Sequence, residues 1–466
     1  MLRLVLVVGA LAAGAGLIAA SGGAGKPTAA PAIADSHAGQ QMRWLVEASA
    51  RLPLSAADMR EHFSAGFRAS AASARRTEFL GALAAAHELR LRRVLVAKPA
   101  ALAAIVQRRG GRRLVMTIFA DRAGRIDYAT LGPAPVLPRP TGGAEVGSDR
   151  VELVDRARSG RRLMLTRWYP AAGPGGDRSL AQYGGARLAA ALADQYADDP
   201  AAAAAALALP AVVVHARAGA RARPGRLPVV LFSPGGGASR VLYQAVAEDL
   251  ASHGYLVVSV DHTGEAAVEL PDGTIMPPAP MDDQTGTRLA DMRLVLRRLN
   301  TMASGPRADR RRIAAFGHSL GGSTAAALMR AEPSVRAGVD LDGIILGPAA
   351  RSGVPRPFMV MSAGKGALAL PSVQGLLAHS RGPRLAVQFA GFEHFSFSDA
   401  PVIAPRASGL GSRPSARDIA AERAYLRAFL DRYVRGRPEA LLAGPSPLWP
   451  QVSFRYRQRC CGTRGP

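Results

Sequence analysis

Five residues, Gly317-His318-Ser319-Leu320-Gly321, follow the apolar run Ile313-Ala314-Ala315-Phe316 and precede the Ala-rich segment Ser323 to Met329. A strand that reverses sharply into a helix has no room for side chains two residues before and two after its apex, which accounts for glycine at 317 and 321. The serine at the apex is then held in a strained backbone, its hydroxyl exposed at the C-terminal edge of a sheet. Five residues alone also fit a plain Gly-rich turn. The flanking strand and helix favour a nucleophilic Ser319.

The chain of 466 residues exceeds one ordinary domain, and its 48% hydrophobic content is ample for a large core. Met1-Leu2-Arg3 followed by the apolar and glycine residues Leu4 to Ala20 reads as a secretory signal occupying 1–34, with Ala32-Ile33-Ala34 as a cleavage site. The expected destination is outside the cell, in the periplasm or in the cell envelope. An uncleaved anchor is the lesser reading, because the run is short and rich in Gly and Ala. Only two cysteines occur, Cys460 and Cys461, so neither a disulfide framework nor a zinc site is expected. The net charge of +24 is carried almost entirely by arginine, since lysine stands only at 26, 98 and 365. The arginines are scattered and not interleaved with aromatics, which argues against specific nucleic-acid recognition. They leave room for loose association with an anionic envelope or lipid surface.

Beyond the Ala/Gly/Pro-rich residues 21–42, a small α+β unit is expected over 43–132. Its first half is helical, with Phe63, Phe67, Phe79 and Leu80 as core residues. Its second half alternates as Ala104 to Gln107, Arg113 to Phe119 and Ile126 to Thr130, separated by turns, a β-meander pattern. This resembles the small cystatin- or steroid-isomerase-like accessory domains that precede some exported serine hydrolases, and a structural or targeting role is expected of it. A Pro/Gly linker follows at 133–144, then a catalytic unit at 145–436 and a basic tail at 437–466. An Ala-rich insertion at about 171–226 carries amphipathic helices. From Leu227 strands alternate with helices: Pro228 to Phe232, Tyr255 to Val260, Ile313 to Phe316, Val335 to Leu341, Pro357 to Met361 and Leu385 to Phe389 are strands, and Ser415 to Val434 is the closing helix. Such alternation means a mostly parallel sheet covered by helices on both faces, with functional groups at the strand C-termini.

A serine hydroxyl needs an imidazole to take its proton and a carboxylate to orient that imidazole. On this fold they follow in the order Ser, acid, His. His394, in the loop after the last predicted strand, is placed to return to the serine; His379 sits at a helix end and His318 inside the turn, pointing away from substrate. For the acid, Ser362-Ala363-Gly364-Lys365-Gly366 contains no carboxylate, whereas Asp342 ends the strand after the nucleophile helix. Asp340 is the fallback, deeper on the same strand. The oxyanion donors expected are the N–H of Leu320 and, from Ser233-Pro234-Gly235-Gly236-Gly237, that of Gly236, since Pro234 has none. No cofactor or metal is called for.

Leu231 to Gly237, Asp249-Leu250-Ala251-Ser252-His253-Gly254-Tyr255, the Gly317 to Gly322 turn, the early Asp342 and His394 together resemble the platelet-activating-factor acetylhydrolase family over about 145–435. The resemblance implies an α/β-hydrolase fold and a calcium-independent hydrolase of short-acyl or oxidised lipid esters. It implies Ser319, Asp342 and His394 as the triad, and Leu320 and Gly236 as oxyanion donors. The chain departs from the family at Pro234, where relatives often carry histidine, and in its added N-terminal unit. A small-molecule or lipid ester is the expected partner. Rival readings are a cutinase- or lipase-like polyester hydrolase, an envelope acyltransferase, and a non-catalytic envelope-binding protein.

Overall fold

The computed structural model describes residues 33, 35–69, 73–108, 110–302, 305–364 and 366–458. All of the expected signal segment except residue 33, and the Cys460-Cys461 pair, lie outside these residues. Among these described residues, sixteen strands form three sheets. β1 to β4 are Arg90–Lys98, Ala101–Gln107, Arg113–Ala120 and Ile126–Gly132; β5 to β9 are Val146–Asp155, Arg161–Pro170, Arg217–Ala218, Arg226–Ser233 and Leu256–Asp261. β10 and β11 are Val268–Glu269 and Ile275–Met276; β12 to β16 are Arg307–His318, Val335–Leu341, Phe358–Ala363, Arg384–Phe389 and Val452–Gln458.

The ten-stranded sheet has the order β16-β15-β14-β13-β12-β8-β9-β6-β5-β7. Its centre, from β9 through β8, β12, β13 and β14 to β15, is parallel throughout. These strands are near-continuous apolar runs, as strands covered on both faces must be; every residue of β9, β13 after Arg336, and β14 is buried. The chain leaves β8 to β9 on one side and returns to β12 on the other, so the strand order reverses at β8. That is where an open α/β sheet forms a crevice beyond its strand ends. The pairings Gly317 with Ser233 and His318 with Leu341 bring the C-terminal ends of β8, β12 and β13 level there.

The N-terminal unit is a four-stranded antiparallel meander, β1-β2-β3-β4, under four helices, with Phe63, Phe67 and Phe79 in its own core. β1 goes beyond the three strands read from the sequence, because its three arginines and lysine mask the alternation. The inserted helices Ala186–Gln195 and Pro200–Ala208 do not simply cover the large sheet. They pack on β1, β2 and β3, and Leu95, Val96 and Ala103 share one apolar cluster with Leu188, Leu192 and Leu207. The two units are thereby joined through a common core.

Two expectations change. The 133–144 segment is docked: Thr141 donates its N–H and hydroxyl to Asp249 at 2.7 and 2.9 Å, and Gly142 N–H donates to Ser252 Oγ at 2.9 Å. A Cβ on Gly142 would lie 2.4 Å from Ser252 backbone atoms, so glycine is what lets the strap approach. The Asp249 to Gly254 motif thus serves this strap. The basic tail also contains β16, which pairs antiparallel along β15 and closes that edge of the sheet. Val452 is buried and Phe454 packs edge-on against Tyr425 with centroids 5.9 Å apart. The alternating Arg455 and Arg457 hide this strand in a basic composition. Removing residues 437–466 will uncover the edge of β15 and forfeit the packing of Leu441, Leu442, Trp449, Val452, Phe454 and Tyr456, where a fully buried apolar side chain is worth about 1.5–3 kcal/mol; calorimetry should show a lower Tm and size-exclusion chromatography should show aggregates.

Candidate active site

Ser319 has φ 55° and ψ −123°, a left-handed conformation disfavoured for a residue with a Cβ. The surroundings explain how it is held. A Cβ on Gly317 would sit 2.2 Å from Gly321 backbone atoms, and one on Gly321 would sit 1.9 Å from the Ser233 carbonyl oxygen. The turn is pressed that tightly between β8 and its own helix, Leu320–Ala331. Ser319 N–H donates to Leu341 O at 2.9 Å, tying the turn to β13.

That link sets the position of the acid. Asp342 follows β13, also at positive φ (51°), with its N–H donated to Met361 O at 2.7 Å. His394 Nδ1–H donates to Asp342 Oδ2 at 2.9 Å, leaving Nε2 with its lone pair. Asp342 is 3% exposed in its side chain and His394 41%. The other carboxylate oxygen accepts from Ala363 N–H at 2.9 Å, Ala367 N–H at 2.9 Å and Ser362 Oγ at 3.1 Å. The carboxylate-free turn after β14 therefore supplies donors to Asp342. Burial opposes ionisation, but the His394 bond and the two backbone N–H groups outweigh it and hold the carboxyl below its ordinary value.

Asp340 lies apart from this pair. It is wholly buried beneath the turn, with Oδ1 accepting from Gly343 N–H at 3.0 Å and Oδ2 without a hydrogen bond among the described residues. Burial, then the Asp342 charge, pushes its carboxyl well above the ordinary value. His379 ends a surface helix with Nδ1 at 2.9 Å from Gly375 O. His318 points away from the crevice, as read from the sequence, but does more than fill space. It donates from Nε2 to the backbone carbonyl of His394 at 2.9 Å and accepts at Nδ1 from Tyr243 Oη at 3.0 Å. Burial, then the neighbouring His394, lowers its imidazole to about 3, so it is a neutral brace. Its ring centroid lies 4.6 Å from that of His394, which seats the His394 loop against the turn.

The glycine loop after β8 is held from below. Arg288 Nη1 donates to Pro234 O at 2.9 Å and Ser233 Oγ at 3.1 Å, and Nη2 to Gly235 O at 3.0 Å. Its guanidinium also pairs with Glu265, both side chains being buried. Gly235 N–H donates to Tyr243 Oη at 3.2 Å. With these groups committed, the Gly236 and Leu320 N–H groups stand out: neither has an intramolecular acceptor among the described residues. A Cβ on Gly236 would be 3.5 Å from Leu320 Cδ2, so the two donors' residues are neighbours. Neither Arg288 nor Glu265 was legible in the sequence, where each is one charge among many.

A second Ser-His-Asp arrangement lies beneath this loop. Ser233 Oγ is 2.9 Å from His262 Nε2, and His262 Nδ1 is 3.0 Å from Asp291 Oδ2. Asp291 is gripped by Arg161 at 2.9 and 2.8 Å. Ser233 is completely buried, however, and its hydroxyl already accepts from Arg288. Burial, then Arg288, keeps His262 neutral. This relay braces the loop and has no access to a substrate. Among the described residues no group of three or more His, Cys, Asp or Glu is arranged for a metal ion.

The sheet and the turn at its switch point define an α/β hydrolase. Residues 226–391 match the family described as "Serine aminopeptidase, S33", and residues 33–126 match "ORF 12 gene product N-terminal". A probable 1-alkyl-2-acetylglycerophosphocholine esterase from Arthroderma benhamiae is 28% identical over 263 residues, covering 49% of this chain and 66% of that protein, just under two thirds of its length. A solved ferulic acid esterase from Streptomyces cinnamoneus is 33% identical, with a TM-score of 0.60, over 69% of this chain and all of the other. The chain belongs to the carboxylic ester hydrolases of the α/β-hydrolase fold.

Three substitutions separate the roles of these groups. Asp342→Asn is expected to lower kcat by about 10⁴, as loss of the orienting carboxylate does elsewhere. Asp340→Asn keeps the shape of a neutral acid and should leave kcat within a few-fold. Because the folded Asp340 is raised above its ordinary value of 3.8, it contributes stability at acid pH that is lost as pH rises. Asp340→Asn should therefore flatten the fall in Tm as pH rises above 3.8, measured by calorimetry across pH. Arg288→Lys keeps a charge beside Glu265 but cannot reach all three loop acceptors; kcat should fall by about 10–10² with KM little changed, measured on p-nitrophenyl acetate with a Tm control.

Proposed function

We propose that this protein is an exported serine esterase acting through an acyl-enzyme. Ser319 Oγ attacks the ester carbonyl as His394 Nε2 takes its proton, while Asp342 holds the imidazole and stabilises it once charged. The Gly236 and Leu320 N–H groups receive the developing oxyanion. The C–O bond to the alcohol breaks, and His394 returns the proton to the departing oxygen. Water then attacks the acyl-serine, giving its proton to His394, and the carboxylic acid leaves as Ser319 regains a proton. The observation that carries this reading is a strained serine at the switch point of the sheet, tied through Leu341 to the strand end that bears a 2.9 Å imidazole–carboxylate pair.

The motifs shared with the acetylhydrolase family and the two esterase relatives support an ester with a short or planar acyl group, from a lipid or another small molecule. The charged start and apolar run of residues 1–20 support export.

A fluorophosphonate probe followed by peptide mapping tests the nucleophile. Ser319 should carry the label, Ser319→Ala should carry none, and His394→Ala should label far more slowly. Label on another serine, or full labelling of Ser319→Ala, overturns the reading. Rates on p-nitrophenyl acetate should exceed those on the palmitate ester by at least tenfold.

A further inference from the structure

The helices of the N-terminal unit flank an open hollow of about 600 Å³ that shares no residue with the site above. Its wall includes Leu52, Leu54 and Leu80, all half-buried. Three arginines line the same cavity: Arg60 is exposed, and Arg68 and Arg76 are half-buried. The cations have only backbone acceptors or solvent. Arg68 Nε donates to Ser64 O at 3.3 Å and Arg76 donates to the Arg68 carbonyl, while no carboxylate pairs with any of the three among the described residues. Of the acids nearby in the chain, Asp58 pairs with Arg51 at 3.0 Å and Glu78 with Arg406, while Glu61 is exposed to solvent 3.8 Å from His62 Nε2.

An apolar hollow of this size falls in the range of small-molecule sites, roughly 300–1,000 Å³. Three uncompensated guanidinium groups on it select for negative charge, and their forked donors match a planar two-oxygen head. The volume, the apolar wall and the cations together describe one amphiphile with a single anionic head. We propose that this cavity binds a long-chain alkyl carboxylate, its chain against Leu52, Leu54 and Leu80 and its head held by Arg68 and Arg76, with Arg60 adding field from the surface. The accessory unit is then a lipid-acid binding module, independently of how the ester-cleaving site is read.

Titration calorimetry of the full chain with dodecanoate, below its micelle concentration, tests this. One equivalent should bind, with a negative heat-capacity change from apolar burial. Arg68→Ala combined with Arg76→Ala should weaken binding at least tenfold, while turnover of p-nitrophenyl acetate, the folding control, stays unchanged. Leu80→Trp, which fills the hollow from a half-exposed position, should abolish binding. Equal affinity for dodecanol overturns the role of charge, and unaltered binding in the arginine variant places the ligand elsewhere. Binding of dodecyl phosphate without dodecanoate, or of neither, overturns the proposal.

Discussion

Everything at the crevice depends on one steric constraint: two glycines let the Ser319 turn come within van der Waals contact of β8 and of its own helix. With a side chain at 321 the helix would be pushed off the Ser233 carbonyl. The serine would then lose both its strained backbone and its link to Leu341. That link, made through the parallel register of β12 and β13, puts Asp342 one strand away from the serine. Asp342 in turn fixes His394. The strain at one residue is thus supported by a sheet buried on both faces, whose burial supplies the stability that a left-handed serine subtracts.

Polar groups placed under the crevice keep it rigid. Arg288 holds two loop carbonyls and a serine hydroxyl from below, and the Gly236 N–H is left without an acceptor among the described residues. Preorganised donors of this kind need no rearrangement as charge develops. The buried relay Ser233-His262-Asp291 shows that the residue types of a catalytic triad also serve as a brace. What separates the two is access and backbone: Ser319 is at the tip of a turn at φ 55°, whereas Ser233 ends a strand and is fully enclosed. His318 belongs with the braces, connecting the serine turn, the glycine loop through Tyr243 and the backbone of His394.

Much of this was legible before any coordinates. Glycine spacing around Ser319, the run of apolar strands from Pro228 to Phe389, and the positions of Asp342 and His394 after strands all follow from local chemistry and periodicity. β16 and β1 were not legible, because arginine at alternate positions reads as a solvated surface. The 133–144 strap was read as a linker because Pro and Gly carry no sign of what the backbone will meet. The Asp249 to Gly254 motif marked a resemblance but not a purpose, which appears only when Thr141 and Gly142 lie on it.

Sequence alone determined the kind of fold and the identity of the turn, since steric exclusion and hydrophobic periodicity act between residues close in the chain. Tertiary structure decided which aspartate meets the imidazole, which arginine among so many supports the glycine loop, and which of two serine–histidine–aspartate sets is open to a substrate. Those choices rest on burial and on distances between residues tens to hundreds of positions apart, and no local pattern encodes either.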